Sequence, residues 1–158
     1  MEQQYPILII LFPLLLGLII PIISFYRKNL AWPIAILALV GSFWSVYNVM
    51  VRLLSLETEK SIHYYLGNWM APFGIEYVVD HFSIMVLMAI VVVALLTTIF
   101  SKQVIEKELG DNEANFYSLF LLFTAGLLGI TITGDAFNLY VLLEIASLKR
   151  IVRLVLNT

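Results

Sequence analysis

A single carboxylate, Glu144, lies within an otherwise apolar stretch of the chain, residues 136–148. A charge at the centre of a membrane helix costs about 2.5–3.5 kcal/mol on insertion scales, so such a residue is by default a candidate functional site. A carboxylate in hydrocarbon tends to keep its proton, whereas a nearby cation favours the ionised form. Glu144 can therefore be a proton relay or the static partner of a Lys or Arg on another helix, and the pattern leaves both open.

The helical face that carries Glu144 is mainly apolar. Its neighbours one and two turns away are Val141, Tyr140 and Phe137 before it and Ser147 and Leu148 after it. The cation that would switch Glu144 between its protonated and ionised forms is therefore expected on another helix.

Other candidates for chemistry are weak. His63 and His81 fall at the expected membrane edge, where an interfacial polar residue is the more common explanation. The sequence has no cysteine, no His-x-x-x-His pattern, no acidic metal cluster and no phosphate-binding glycine loop. We therefore predict no metal and no cofactor on this chain, and no enzyme activity by the chain alone.

The composition identifies an integral membrane protein. Of the 158 residues 61% are hydrophobic and only 13% are charged, with a mean hydropathy of +0.96. About 20 apolar residues cross a bilayer as a helix, and four uncharged stretches are long enough: residues 6–25, 29–51, 82–101 and 114–134. A fifth helix over residues 136–148 rises only about 20 Å, too short for an unstrained crossing. The predicted fold is all-α, with about five transmembrane helices, the fifth incomplete.

Several local features are predicted between and within these helices. Residues 62–66 and 75–79 are β-branched and aromatic and predict an outer β-hairpin, after which Asp80 caps the third helix. The charged residues 102–113 are typical of a solvated loop. Pro13 is expected to kink the first helix or to be tolerated through contacts with neighbouring helices.

Small and hydroxyl residues in the fourth helix predict close packing. Gly126 and Gly129 allow a neighbouring helix to approach, while Thr124, Thr131 and Thr133 are available for interhelical hydrogen bonds. Gly134 and Asp135 then predict a tight turn, with Asp135 capping the fifth helix.

The distribution of basic residues predicts the orientation. Seven of the nine Lys and Arg residues fall in the first loop, the third loop and the tail, and only Arg52 and Lys60 lie on the other side. The positive-inside rule then places the N-terminus outside and the C-terminus in the cytoplasm. The first apolar stretch lacks a basic start and a cleavage site, so it is expected to be a retained helix.

Two motifs carry a family resemblance. Residues 66–75, followed by 79–83, and residues 133–144 (Thr-Gly-Asp-Ala-Phe-Asn-Leu-Tyr-Val-Leu-Leu-Glu) resemble the D subunit of Mrp-type monovalent cation/proton antiporters and the antiporter-like subunits of respiratory complex I. The resemblance covers residues 1–148. It implies that Glu144 is the fifth-helix glutamate that pairs with a lysine two helices further on and modulates its proton affinity.

The resemblance also implies partners and a boundary. Such proteins lie in a bacterial-type inner membrane and work with other subunits of a membrane complex. They move protons and a monovalent cation such as Na⁺, and no nucleic-acid partner is expected. Alternatives are a proton-pumping subunit of an NADH:quinone oxidoreductase-like complex and a non-functional membrane fragment. Residues 149–158 depart from the family with three cations, Lys149, Arg150 and Arg153. We therefore expect residues 1–148 to be the N-terminal part of a truncated antiporter-like domain.

Overall fold

The computed structural model describes residues 5–26, 30–55, 61–65, 76–133 and 136–146. Its elements, in chain order, are α1 (Tyr5–Tyr26), α2 (Ala31–Ser55), β1 (Ser61–Tyr65), β2 (Glu76–Asp80), α3 (His81–Leu109), α4 (Glu113–Ile132) and α5 (Ala136–Ala146). A short 3₁₀ turn, Gly110–Asn112, joins α3 to α4. The predicted helical membrane fold with one hairpin is confirmed.

Four helices, α1 to α4, are long and apolar enough to cross a membrane, and they match the four predicted stretches. The prediction of a loop from residue 102 is wrong, because α3 continues as a helix to Leu109. Residues 102–109 are rich in Lys, Gln and Glu, which are good helix formers, so the helix extends beyond its apolar part. The charged side chains Lys102, Glu106, Lys107 and Glu108 remain exposed, as the sequence predicts.

The helices alternate in direction and pack around α1 and α4. Helix α1 lies between α2 and α4, while α3 packs against α2 and α4. Two groups of buried residues fill the bundle. One, near the hairpin, includes Ile9, Val49 and Leu128, and the other, near the basic end, includes Ile20, Leu39 and Tyr117.

The outer hairpin forms as predicted. Strands β1 and β2 are antiparallel, with Tyr64 opposite Tyr77. The carboxylate of Asp80 then accepts a 2.7 Å hydrogen bond from the backbone N–H of Ser83, which confirms it as the N-cap of α3. Because β2 passes directly into α3, the hairpin is fixed to the top of the helical bundle.

Two of the threonines predicted to be available for interhelical hydrogen bonds, Thr124 and Thr131, bond within α4 instead. Thr124 donates to the carbonyl of Phe120 and Thr131 to that of Leu127, one turn back on their own helix, at 2.8 Å each. A threonine hydroxyl can reach the carbonyl four residues back on its own helix, so both hydroxyls have an acceptor without a partner on another helix.

Candidate functional site

Glu144 lies on α5, eight residues after the first residue of that helix. At 1.5 Å per residue this places it about 12 Å along the helix axis. The start of α5 follows the end of α4 after three residues, so Glu144 lies below the end of the bundle that carries the hairpin.

The rotation of α5 about its axis is set by a contact with α4. The side chain of Leu142 is 6% exposed and lies against Gly129. A Cβ atom placed on Gly129 would come within 2.6 Å of Leu142 Cδ2 and 2.7 Å of Cδ1. The absence of a side chain at Gly129 therefore creates the space that Leu142 fills, as the small residues of α4 predicted.

Glu144 faces away from α4. Two residues along a helix correspond to about 200° of rotation, so Glu144 lies on the opposite side of α5 from Leu142. It is exposed, as are Tyr140, at 68%, and Val141, at 39%, one turn before it. Helices α1 to α4 therefore do not cover the face of α5 that Glu144 shares with Tyr140 and Val141.

The hairpin is tied to the connection that leads into α5. Thr133, the residue after α4, is extended and forms an antiparallel bridge with Tyr77 of β2. Its backbone N–H also donates a 3.0 Å hydrogen bond to the carbonyl of Gly129. Thr133 is thus held both by the hairpin and by α4.

A cluster of polar side chains that was not predicted from the sequence lies at the opposite end of the bundle. The indole N–H of Trp32 donates a 3.0 Å hydrogen bond to the carbonyl of Thr98, and the ammonium group of Lys102 lies 4.2 Å from the centre of the Trp32 ring. Ser101, the residue before Lys102 on α3, has its hydroxyl 3.5 Å from the hydroxyl of Tyr117 on α4. Two features of the sequence could have indicated this group: a tryptophan in the first turn of one helix, and a lysine where the apolar part of another helix ends.

The two predicted histidines lie at the end of the bundle that carries the hairpin. His81 is exposed at the first position of α3, and His63 pairs through its backbone register with Val78 in the hairpin. Asp135 and the basic residues Lys149, Arg150 and Arg153 lie outside the described residues. Within the described ranges, no three His, Cys, Asp or Glu side chains gather to hold a metal. The absence of a metal and of a cofactor stays a prediction.

Several proteins of similar sequence are named as subunits of antiporters or of NADH-quinone oxidoreductase. No family model matches the chain. It is 30% identical over 152 residues to the N subunit of NADH-quinone oxidoreductase of Desulforudis audaxviator, covering 94% of this chain and 29% of the relative. It is 36% identical over 92 residues to the D subunit of the Na(+)/H(+) antiporter of Alkalihalophilus pseudofirmus, covering 58% of this chain and 18% of that relative. A putative antiporter subunit, mnhD2 of Staphylococcus epidermidis, is 30% identical over 149 residues, 94% of this chain and 30% of the relative.

Two solved membrane complexes contain a chain of similar structure. One is the membrane-bound sulfane sulfur reductase, an archaeal respiratory membrane complex, with a TM-score of 0.82 and 30% identity over 92% of this chain and 29% of that one. The other is the Mrp complex of Dietzia sp., with a TM-score of 0.72 over 92% of this chain and 26% of that one; at 22% identity it supports the fold alone. This chain spans less than a third of the length of these relatives. The chain is therefore an integral membrane protein homologous to part of the D subunits of cation/proton antiporters and the N subunits of NADH-quinone oxidoreductases.

Proposed function

We propose that the chain is part of an ion-translocating subunit and that Glu144 takes up and releases the translocated proton. The observation that carries the proposal is the placement of Glu144 on the face of α5 opposite the Leu142 contact with α4. That face presents a carboxylate, beside Tyr140 and Val141, about 12 Å along α5 and away from helices α1 to α4.

The chemistry follows from the surroundings of a carboxylate on such a face. In hydrocarbon the neutral form is favoured, and a cation that approaches favours the ionised form. A basic side chain on a helix that packs against this face would therefore release a proton from Glu144 when it approaches and allow proton uptake when it withdraws. A lysine is the partner that the family resemblance implies.

The proposed reaction is exchange of protons for a monovalent cation such as Na⁺ within a multisubunit complex. The relatives named as antiporter subunits support this function. A second candidate is proton translocation driven by a redox reaction in partner subunits. The match to a respiratory membrane complex at a TM-score of 0.82 and the relative from an NADH-quinone oxidoreductase favour this alternative.

The proposed orientation places the hairpin outside a bacterial-type inner membrane. Lys102 and Lys107 are exposed on the part of α3 that lies farthest from the hairpin. Basic residues next to membrane helices favour the cytoplasmic side. The start of α1 then faces outward together with the hairpin, and α5 runs from the outer side toward the cytoplasm.

The test replaces Glu144 in the native complex. Inside-out membrane vesicles are prepared from cells that carry Glu144→Gln or, as a matched control, Glu108→Gln, which removes an exposed carboxylate from the end of α3. We expect Glu144→Gln to abolish dissipation of a preformed pH gradient upon addition of Na⁺, while the amount of assembled complex is unchanged. Retention of the parental exchange rate in Glu144→Gln vesicles would overturn the role of Glu144.

The same vesicles separate the two candidate functions. An antiporter responds to added Na⁺ when an artificial or respiratory gradient is already present. A redox-driven pump instead acidifies the vesicle interior only when its own electron donor and acceptor are supplied. If Glu144→Gln abolishes the response to Na⁺, the complex is an exchanger. If Glu144→Gln abolishes acidification driven by the electron donor and acceptor, the complex is a redox-driven pump.

A further inference from the structure

The structure assigns Gly129 as a positioning residue for Glu144: its contact with Leu142 fixes the rotation of α5, and with it the direction in which Glu144 points. This inference rests on the proposed function of Glu144. Gly129 does not contact Glu144, and it acts only through the α4–α5 contact.

The contact leaves little freedom to Leu142. A Cβ atom on Gly129 would lie 2.6 and 2.7 Å from the two methyl carbons of Leu142 and 3.2 Å from its Cγ. Carbon atoms prefer separations of about 3.5–4.0 Å, so a methyl group here is about 1 Å too close. A staggered rotation about the Cβ–Cγ bond of Leu142 places the Cγ hydrogen in only one of the two methyl positions, so a methyl group still occupies the other and part of the overlap remains.

The approach to α5 is held by further contacts. Thr133 forms a bridge with Tyr77 of the hairpin and donates a hydrogen bond to the carbonyl of Gly129. Helix α5 is therefore restrained at its approach by Thr133 and along its length by Leu142. Since the overlap reaches the Cγ of Leu142 as well as its two methyl groups, we expect a shift of that side chain to relieve only part of it and a rotation or tilt of α5 to relieve the rest, which redirects Glu144.

The effect on transport should be large because proton transfer depends steeply on geometry. A misplacement of about 1 Å can lower the rate of a catalysed step by about 100-fold. We expect the cation-driven exchange rate of Gly129→Ala to be at least about tenfold below that of the parent. Shortening the opposing side chain in Gly129→Ala/Leu142→Ala removes the overlapping atoms and should restore most of the rate.

Spin labels report the position of α5 without reference to transport. The chain has no cysteine, so Tyr140→Cys and Val93→Cys place two labels at exposed sites of α5 and α3. In the purified chain in liposomes, we expect Gly129→Ala to shift the distance between the labels and Gly129→Ala/Leu142→Ala to return it. The matched control is Gly41→Ala, whose Cβ would lie 3.0 Å from the ring of Phe12, away from α5, and it should leave the distance unchanged.

The outcomes separate this inference from the proposed function. An unchanged label distance in Gly129→Ala overturns the positioning role. A changed distance with a parental exchange rate also overturns it, provided that Glu144→Gln abolishes exchange. If Glu144→Gln itself exchanges normally, the proposed function has failed, whatever the label distance shows. A shifted distance and a slowed exchange, both restored by the added Leu142→Ala, support the positioning role.

Discussion

The hydroxyl of Ser118 on α4 donates a 2.6 Å hydrogen bond to the backbone carbonyl of Gly17 on α1. Gly17 precedes Pro21 by four residues, and proline has no N–H to donate to the carbonyl one turn back. Ser118 therefore supplies the donor that Pro21 removes from α1. In a membrane, where no water reaches the helix, an unpaired carbonyl destabilises the fold.

The second internal proline of α1 is accommodated in the same way. Pro13 leaves the carbonyl of Ile9 without its intrahelical donor, and the hydroxyl of Ser42 on α2 donates to that carbonyl at 2.9 Å. Both prolines thus turn a backbone carbonyl of α1 into an acceptor for a neighbouring helix. This pairing explains how α1 stays a single helix from Tyr5 to Tyr26 and how it is tied to both α2 and α4.

Ser118→Ala is expected to destabilise the chain by about 1–2 kcal/mol, because it leaves the Gly17 carbonyl unpaired in an apolar environment. Unfolding of the purified chain in detergent by a denaturant series measures this change. Pro21 is exposed, and Pro21→Ala returns an N–H to the carbonyl of Gly17. The cost of Ser118→Ala should therefore be smaller in the Pro21→Ala background.

A matched control for the serine is Thr97→Ala. The Thr97 hydroxyl donates to the carbonyl of Val93 on its own helix, which has its usual backbone donor as well. We expect Thr97→Ala to change the unfolding free energy by less than Ser118→Ala does. An equal cost of Ser118→Ala with and without Pro21 would contradict the pairing of this serine with the proline.

Features that depend on local sequence were predictable. The four apolar stretches predicted α1 to α4, and the residues flanking Gly67 to Gly74 predicted the strands of the hairpin. Asp80 was predicted as a cap because its side chain needs only the amide groups of the next three residues. In each case the interaction lies within one element or between adjacent elements.

Features that depend on how helices face one another were not predictable residue by residue. Thr124 and Ser118 lie on the same helix and have similar donors, but only Ser118 faces a carbonyl that a proline has left free. Likewise, Gly129 was predicted to allow close approach, but not which residue approaches it. The position of Glu144 on α5 was predictable, whereas its direction relative to α4 required the contact of Leu142.

Asp80 is expected to make the stability of the chain depend on pH at the acidic end. The hydrogen bond from the Ser83 backbone, more than any other cause, holds the pKa of the Asp80 carboxyl below its usual value of 3.8. A lowered folded-state pKa means that the ionised cap stabilises the protein above the ordinary pKa and that this contribution is lost as the pH falls through the folded-state pKa.

Comparing Asp80→Asn with the parent isolates that dependence, since asparagine caps a helix but does not ionise. In thermal unfolding, the difference in melting temperature between the two proteins should be constant from neutral pH down to the ordinary pKa of aspartate. It should shrink between that pH and about pH 3. Asp80→Ala should lower the free energy of unfolding by about 0.5–2 kcal/mol at neutral pH. A parent-minus-Asn difference that stays the same down to about pH 3 would mean that the carboxylate charge plays no part in the cap.

Gly110 ends α3 with a backbone conformation that only glycine adopts readily. Its φ is +47° and its ψ is −109°, and nothing lies within 4 Å of the position of a Cβ atom. Gly110→Ala therefore introduces backbone strain without a packing clash, and we expect it to lower the unfolding free energy by about 1–3 kcal/mol. Glu108→Ala, at an exposed helical position in the same segment, should have little effect. A neutral Gly110→Ala would indicate that the α3–α4 connection relaxes to another conformation.

Lys102 and Trp32 are expected to stabilise the basic end of the bundle together. The ammonium group lies 4.2 Å from the centre of the indole ring, within the distance of about 6 Å for a cation–π interaction. Because Lys102 is exposed, the interaction should contribute about 0.5–1 kcal/mol. Lys102→Gln should lower the unfolding free energy by that amount, whereas Lys107→Gln, which removes a nearby exposed charge, should not.

A double-mutant cycle separates the ring contact from a general effect of charge. Trp32→Leu removes the aromatic ring and also the indole N–H that donates to the carbonyl of Thr98, so it is costly by itself. In that background Lys102→Gln has no ring contact left to lose, and its cost should fall to nearly zero. An unchanged cost of Lys102→Gln would show that the lysine acts through other groups, and the contact with Trp32 would then have no part in holding α2 against α3.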